Sequence, residues 1–331
     1  MRTLRTSVPA HPRTRARHGF ALMAALWLVV LVGVTGYELS VRSRSRRLAV
    51  ANALERTEAA AAAEGALETV RGELAMRLAR PSPASMPGTV PIAQIDPWSD
   101  LALIDADTLT LGDARALPRL YDAGARVQIN RVAEGDLRRF LAALDIDAGE
   151  ADRLAQRIAD WRDADDFRRA RGAERDDYLR AGARRLPTNA DFQRVDELRD
   201  VDGMTPELFA RIAPLVTVLG TGQINVNAAP RAVLMSLPGM GDETIAAIVR
   251  AQQARRPIRS MEELTAQLSS AARSSLVQVM ADLQQRITFE SREVVVEADG
   301  WLDGSPARIT AQALLARGGD AMFTIGRRIV Q

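Results

Sequence analysis

Three hydropathic regimes follow one another along the chain. From Phe20 to Tyr37 eighteen residues pass without a charge, which as a helix is about 27 Å, close to the hydrocarbon thickness of a bilayer. A membrane-spanning helix is therefore expected over residues 20–41. Glu38-Leu39-Ser40 leads straight into a continuing helical pattern, where a removable secretory signal would present small residues at a cleavage site. No proline occurs from Arg42 to Arg80, alanine dominates, and Leu67, Val70, Leu74 and Leu78 recur at helical spacing. One helix is expected to run from Phe20 to Arg80, on the order of 90 Å, until Pro81-Ser82-Pro83 stops it.

The middle of the chain keeps the helical period but is broken into short segments. Gln128-Ile129-Asn130 and Gln223-Ile224-Asn225 each open a stretch with an apolar helix signal (Phe140 to Leu144; Val233 to Leu237), a turn and another helix, so a duplicated helical module is expected over 125–285, divided near 220. The end of the chain alternates instead. Ile287 to Ala298 and Ala307 to Leu315 have period two, Asp303-Gly304 is a hairpin signal, and Gly318-Gly319 precedes Met322 to Ile325. These predict three antiparallel strands, with one face buried under the second half of the long helix. The fold class is thus α+β: a long N-terminal membrane-spanning helix packed on a small antiparallel sheet, with a large all-helical insertion.

Charge sharpens the picture. Residues 1–19 hold five arginines and no acid; without them 39 arginines face 42 acids, a net of −3. A mildly acidic remainder has no whole-domain attraction for polyanions. Five arginines precede the span and Arg42, Arg44, Arg46 and Arg47 follow it, so the charge asymmetry only modestly favours a cytoplasmic leader. Every basic residue is arginine and cysteine is absent, which removes disulfides, thiolate nucleophiles and sulfur-based zinc sites. Both histidines, His11 and His18, lie in the leader. The remainder therefore lacks an imidazole base, and without lysine it lacks a P-loop. An enzyme is not expected.

A basic leader ending in Gly19, followed by Phe20 and an uncharged helix, resembles a type IV prepilin. That resemblance implies cleavage by prepilin peptidase between Gly19 and Phe20 and methylation of the new amino group. Pilin-like proteins mostly place Glu at the fifth position after cleavage, where it neutralises a neighbour's ammonium in the membrane; here the position is Ala24. This departure is similar to the minor pseudopilin K family of type II secretion. Arg194 to Val218 and Ile224 to Val249 resemble the paired sterile-alpha-motif-like repeats of that family, together with Ala159-Asp160-Trp161 and Gly172-Ala173-Glu174. The resemblance implies a leader (1–19), a membrane helix (20–41), the first part of a pilin-like α/β unit (42–124), the helical insertion (125–285) and terminal strands (286–331). It further implies a single-pass inner-membrane protein with its globular part in the periplasm. Such a protein would meet minor pseudopilins I and J and other inner-membrane secretion components at the tip of the pseudopilus, start its assembly and support export of folded proteins.

Two motifs carry candidate chemistry. Asp163, Asp165 and Glu174 fall at the first, third and twelfth places of an EF-hand loop, but Phe167 and Arg168 replace an acidic ligand and the required glycine, so an EF-hand is rejected. A calcium-pinned irregular loop stays open beside a plain solvated acidic loop. The resemblance implies calcium in the globular region, and Asp163, Asp165, Glu174 and Asp177 of this acidic stretch are its candidate ligands. Leu237 to Gly241, followed by Ala246-Ala247-Ile248, resembles a helix-hairpin-helix with Gly239 and Gly241 in its turn. Its loop amides can cradle a DNA phosphate, which makes a membrane-anchored DNA receptor of competence type the alternative. Asp242 and Glu243 stand where the phosphate would come, so nucleic acid is disfavoured.

Overall fold

A single helix, α1 (Arg17–Ala79), opens the structure. The computed structural model describes residues 17–79, 96, 98, 101, 107–318 and 321–330; the leader up to residue 16, the Pro81-Ser82-Pro83 stop and Gly319 lie outside the described residues. The chain divides into two units, residues 1–57 and 58–331. In the first, every described side chain from Phe20 to Leu54 is exposed, Phe20 by 78% and Trp27 by 70%. Thr35, within the apolar run, returns its hydroxyl to the Leu31 carbonyl (2.8 Å), so this polar group has a local backbone partner. By length and composition α1 is apolar enough to cross a membrane.

In the second unit the same helix acquires a buried stripe: Ala59, Ala62, Ala63, Ala66, Leu67, Val70 and Leu74, recurring every three or four residues. The chain then forms β1 (Leu109–Leu111) and β2 (Ala114–Asp122). Neither strand is foreshadowed by an alternating pattern, because alanines, Gly112 and Pro118 dilute it. β1 pairs only as far as Ala116, so the rest of β2 has an open side on which a proline's missing N–H is tolerated.

The helical region follows. Its helices are α2 (Glu134–Ala142), α3 (Ala148–Arg162), α4 (Arg175–Arg180), α5 (Pro206–Ile212), α6 (Arg231–Leu234), α7 (Asp242–Gln253), α8 (Met261–Ala266), α9 (Ser270–Gln278) and α10 (Met280–Arg286). Side-chain caps start several of them: Asp147 accepts from Gly149 N (2.9 Å), Thr205 from Leu208 N (3.2 Å) and Ser260 from Glu263 N (3.2 Å). One hydrophobic cluster runs from Val127 to Ile287 through Phe140, Ile158, Trp161, Ile212 and Leu234.

Two short parallel pairs close this region on itself: β3 (Val127–Gln128) with β4 (Val216–Thr217), and β5 (Ile224–Asn225) with β6 (Ile287–Thr288). They set the register of the internal repeat differently from the Gln-Ile-Asn match. Asn130 bridges Phe192, donating to its carbonyl (2.9 Å) and accepting from its N–H (2.9 Å). Asn227, not Asn225, does the same at Ile258 (2.7 and 2.9 Å). Val127-Gln128-Ile129-Asn130 therefore corresponds to Ile224-Asn225-Val226-Asn227, two residues away from the match read in the sequence. The equivalence lives in which backbone each amide reaches, which the shared tripeptide does not encode.

The chain ends in β7 (Glu293–Leu302), β8 (Arg308–Gly318) and β9 (Ala321–Val330). With β1 and β2 these form one antiparallel sheet in the order β1-β2-β7-β8-β9. The α+β class read from the sequence, a long apolar helix and an antiparallel sheet, is the one observed. The sheet is larger than the three strands expected, and Ile287-Thr288 belongs to the helical region because Ile287 is buried in its cluster. Ala114, Ala116, Val294, Val296, Ala298, Ala311, Ala313 and Leu315 face α1. Helix and sheet approach very closely at Gly300, where an added Cβ would sit 2.1 Å from the Ala59 carbonyl oxygen. The alanines of α1 and this glycine are one device: small side chains let two backbones meet.

A buried polar knot ties the sheet to the helical region. Asp122, ending β2, accepts from Asn225 Nδ2 (2.7 Å), Ser291 Oγ (2.6 Å) and Gly124 N (2.7 Å). Asp96 accepts from Ser291 N (2.6 Å) and pairs with Arg317 (2.8 Å). Burial holds both carboxyls above the ordinary range although these donors pull the other way.

Candidate metal site and hairpin turn

The acidic loop begins where α3 ends. Trp161 is fully packed there, edge-on to Tyr178 (centroids 5.3 Å apart) and stacked with Phe192 (6.2 Å), which fixes the last turn of α3 and the carboxylates beside it. Asp160 is buried and held by Arg169, through Nη1 (2.5 Å) and the backbone N–H (3.3 Å). Arg169 also reaches Asp163 Oδ2 (2.5 Å) and Glu134 (3.2 Å). At Gly172 an added Cβ would lie 1.7 Å from Asp160 Oδ2, so only glycine lets the loop pass over that carboxylate.

On this frame Asp163, Asp165 and Glu174 converge, each offering a carboxylate oxygen within 4.8 Å of the others. Glu174 is only 4% exposed, and neither of its oxygens has a hydrogen-bond partner among the described residues; Asp163 Oδ1 is equally unpartnered. Burial, reinforced by the charges of Asp160, Asp163, Asp166 and Asp165, pushes the Glu174 carboxyl up to about 7. Unsatisfied buried acceptors of like charge are costly, and a hard cation with oxygen ligands is the chemistry that satisfies them. The residues present therefore fit calcium.

Asp177 is not in this group. Its Oδ2 accepts from the Glu174 N–H (3.0 Å) and its Oδ1 pairs with Arg180 (2.8 Å) and Arg168 (3.5 Å), so it orients Glu174 and already has its counter-charges. Asn189 is a neighbour that sequence reading missed. It donates to the Asp165 carbonyl (3.0 Å) and to Asp166 (2.9 Å), while its own Oδ1 is buried without a partner. Its one local signal, an asparagine at φ 49°, is invisible without the backbone.

The hairpin glycines play unequal parts. Gly239 has φ +71°, and an added Cβ would stand 2.5 Å from Val279 Cγ2, between α9 and α10. Gly241 caps α7 with ordinary φ, and an added Cβ there meets nothing within 4 Å. The turn is thus packed inward against the next helices. Glu243 accepts from Ser269 N and Oγ (both 2.7 Å), and Asp242 pairs with Arg231 (2.6 Å). Acids occupy the helix N-terminus where a phosphate would bind. The Gly19-Phe20 junction lies in the first turn of α1, and Ala24 is exposed on the same helix.

Comparison with known proteins converges on one family. Residues 114–221 match the family model described as type II secretion system (T2SS), protein K. The type II secretion system protein K of Pectobacterium carotovorum is 28% identical over 226 residues, covering 65% of this chain and 66% of that protein. The protein K of Dickeya chrysanthemi is 35% identical over 124 residues, covering 36% and 34%. The fold matches a chain in the crystal structure of the GspK-GspI-GspJ complex from the enterotoxigenic Escherichia coli type 2 secretion system, with TM-score 0.59 and 19% identity over 88% of this chain and 99% of that one. The chain is similar to type II secretion system protein K over about two thirds of its length and shares the fold of a chain in the GspK-GspI-GspJ complex.

Proposed function

We propose that the chain is a non-catalytic minor pseudopilin that sits with pseudopilins I and J at the tip of a periplasmic pseudopilus, starts its assembly and supports export of folded proteins. The observation that carries this reading is the fold match to a chain of the GspK-GspI-GspJ complex. The architecture is physically suited to a tip: a helical region inserted between β2 and β7 adds bulk that opposes stacking of another subunit above it. A subunit with nothing above it has no neighbouring ammonium to neutralise, which accounts for Ala24. In this reading residues 1–19 are a leader cut by prepilin peptidase, Phe20 becomes a methylated N-terminus, and 20–41 anchor the protein in the inner membrane. Residues 42–124 and 286–331 build the pilin-like unit around the insertion of 125–285. The two parallel bridges and the paired roles of Asn130 and Asn227 support reading that insertion as two related, sterile-alpha-motif-like modules. Calcium bound by Asp163, Asp165 and Glu174 would pin the loop between α3 and α4.

The DNA-receptor alternative loses support at the hairpin, whose turn is packed inward and whose helix start carries acids. Affinity purification of the full chain from detergent-solubilised membranes tests the assignment. Co-purification of pseudopilins I and J is expected; their absence, with DNA retained instead, would sink it.

A further inference from the structure

We propose that Arg42, Arg44, Arg46 and Arg47 form a collar that binds anionic phospholipid headgroups where α1 leaves the bilayer. The proposal rests on the reading of α1 as a membrane anchor. From Phe20 onward the helix presents exposed apolar side chains on every side as far as Val41, broken by the acid Glu38. Four guanidiniums then arrive within six residues, all exposed. Glu38 pairs with Arg42 at 3.4 Å, with both side chains largely in solvent. Arg44, Arg46 and Arg47 have no carboxylate partner among the described residues.

Helix geometry turns this run into a ring. Arg42 and Arg47 are separated by about 7.5 Å along the axis, comparable with a headgroup layer roughly 5–7 Å deep. At about 100° per residue the four side chains point near 0°, 200°, 40° and 140° around the axis. A partner helix reads a stripe about 100° wide and would reach at most two of them. An annulus of lipid touches all four. The spacing also sets Arg42 against Arg46 and Arg44 against Arg47, like-charge pairs that weaken a helix unless counter-charges arrive. Phosphodiester groups supply them at the depth where the apolar surface ends, and guanidinium forks match their geometry. The collar would fix how deep α1 sits and resist its withdrawal from an anionic membrane.

The test uses the full chain reconstituted in phosphatidylcholine bilayers with trace spin-labelled phosphatidylglycerol or phosphatidylcholine, reading the lipid held against the protein. One arginine at an anionic surface is worth roughly a fivefold preference, so selectivity for phosphatidylglycerol of several-fold is expected, weakening with salt. It should fall towards one in the variant Arg42→Gln, Arg44→Gln, Arg46→Gln, Arg47→Gln. Wild-type selectivity near one overturns the collar, as does selectivity that survives the fourfold replacement. Selectivity abolished by inorganic phosphate at constant ionic strength would mean a soluble-anion site and also overturn it. Absence of any restricted lipid, of either kind, would instead refute the membrane anchor itself.

Discussion

Replacing Glu174 by glutamine separates a metal site from a plain acidic loop, because the two readings predict opposite signs. In the metal-free protein the Glu174 carboxyl, normally near 4.5, is pushed up to about 7 by burial and by the surrounding aspartates. A carboxyl raised in the folded state contributes stability that is fully present below about 4.5 and is lost as the pH rises through about 7. At pH 8 the displacement corresponds to about 3 kcal/mol against folding. Glu174→Gln removes the charge while keeping the shape, and its amide can donate to the unpartnered Asp163 Oδ1. Without calcium the variant is therefore expected to be the more stable protein at pH 8, by roughly 6–12 °C in melting temperature, with the difference vanishing near pH 4.5. Calcium at a hundred times its dissociation constant should add about 2.7 kcal/mol to the wild type and little to the variant. Scanning calorimetry of the purified chain, with chelator and with calcium at both pH values, measures all four terms. A variant that melts below the wild type in chelator, or a calcium response equal in both proteins, would refute the reasoning and leave Asp163, Asp165 and Glu174 as a solvated acidic loop.

Intact-mass analysis of the membrane-extracted protein is expected to show a chain beginning at methylated Phe20; a chain that retains Arg13 to His18, or begins near Ser40, would remove the pilin reading. Gly239→Ala should cost about 2–4 kcal/mol, because it forces an L side chain into φ +71° and a contact with Val279, whereas Gly241→Ala should cost under about 1 kcal/mol. Urea midpoints decide this, and equal costs would refute the inward-packed turn. Steep, salt-sensitive binding of duplex DNA lost in both variants would revive the receptor reading. Asp122→Ala should cost roughly 2–5 kcal/mol by leaving the donors of Asn225, Ser291 and Gly124 buried and unpaired. Since burial holds Asp122 above its ordinary range, its contribution grows as the pH falls from 7 towards 4. A cost that shrinks on acidification, in urea titrations at the two pH values, would contradict that direction.

Sequence alone determined those parts of the protein in which the cause of structure is local. The uncharged run after Gly19 and the alanine-rich stretch beyond it specify a helix through propensity and the absence of proline, and α1 runs from Arg17 to Ala79. Alternation and the Asp303-Gly304 turn specify the last strands because side chains in a strand repeat every two residues, and β7 and β8 meet across that turn. The approach of Asp163, Asp165 and Glu174 was legible as spacing, though not the fact that Glu174 would be buried with both oxygens unpartnered.

Tertiary structure decided what depends on distant segments. β2 is a strand because Ala114 to Asp122 lie against Leu302 to Val294, not because its own residues favour one. The two-residue offset of the internal repeat follows from the backbone that Asn130 and Asn227 each reach, 62 and 31 residues away. Asp177 was read as a ligand from its charge, yet its neighbours make it the group that orients Glu174. Asn189 and the knot joining Asp96, Asp122, Asn225 and Ser291 had no sequence signature at all. A polar residue's role is set by whether burial strips its water and which donors replace it, and both are properties of the folded chain.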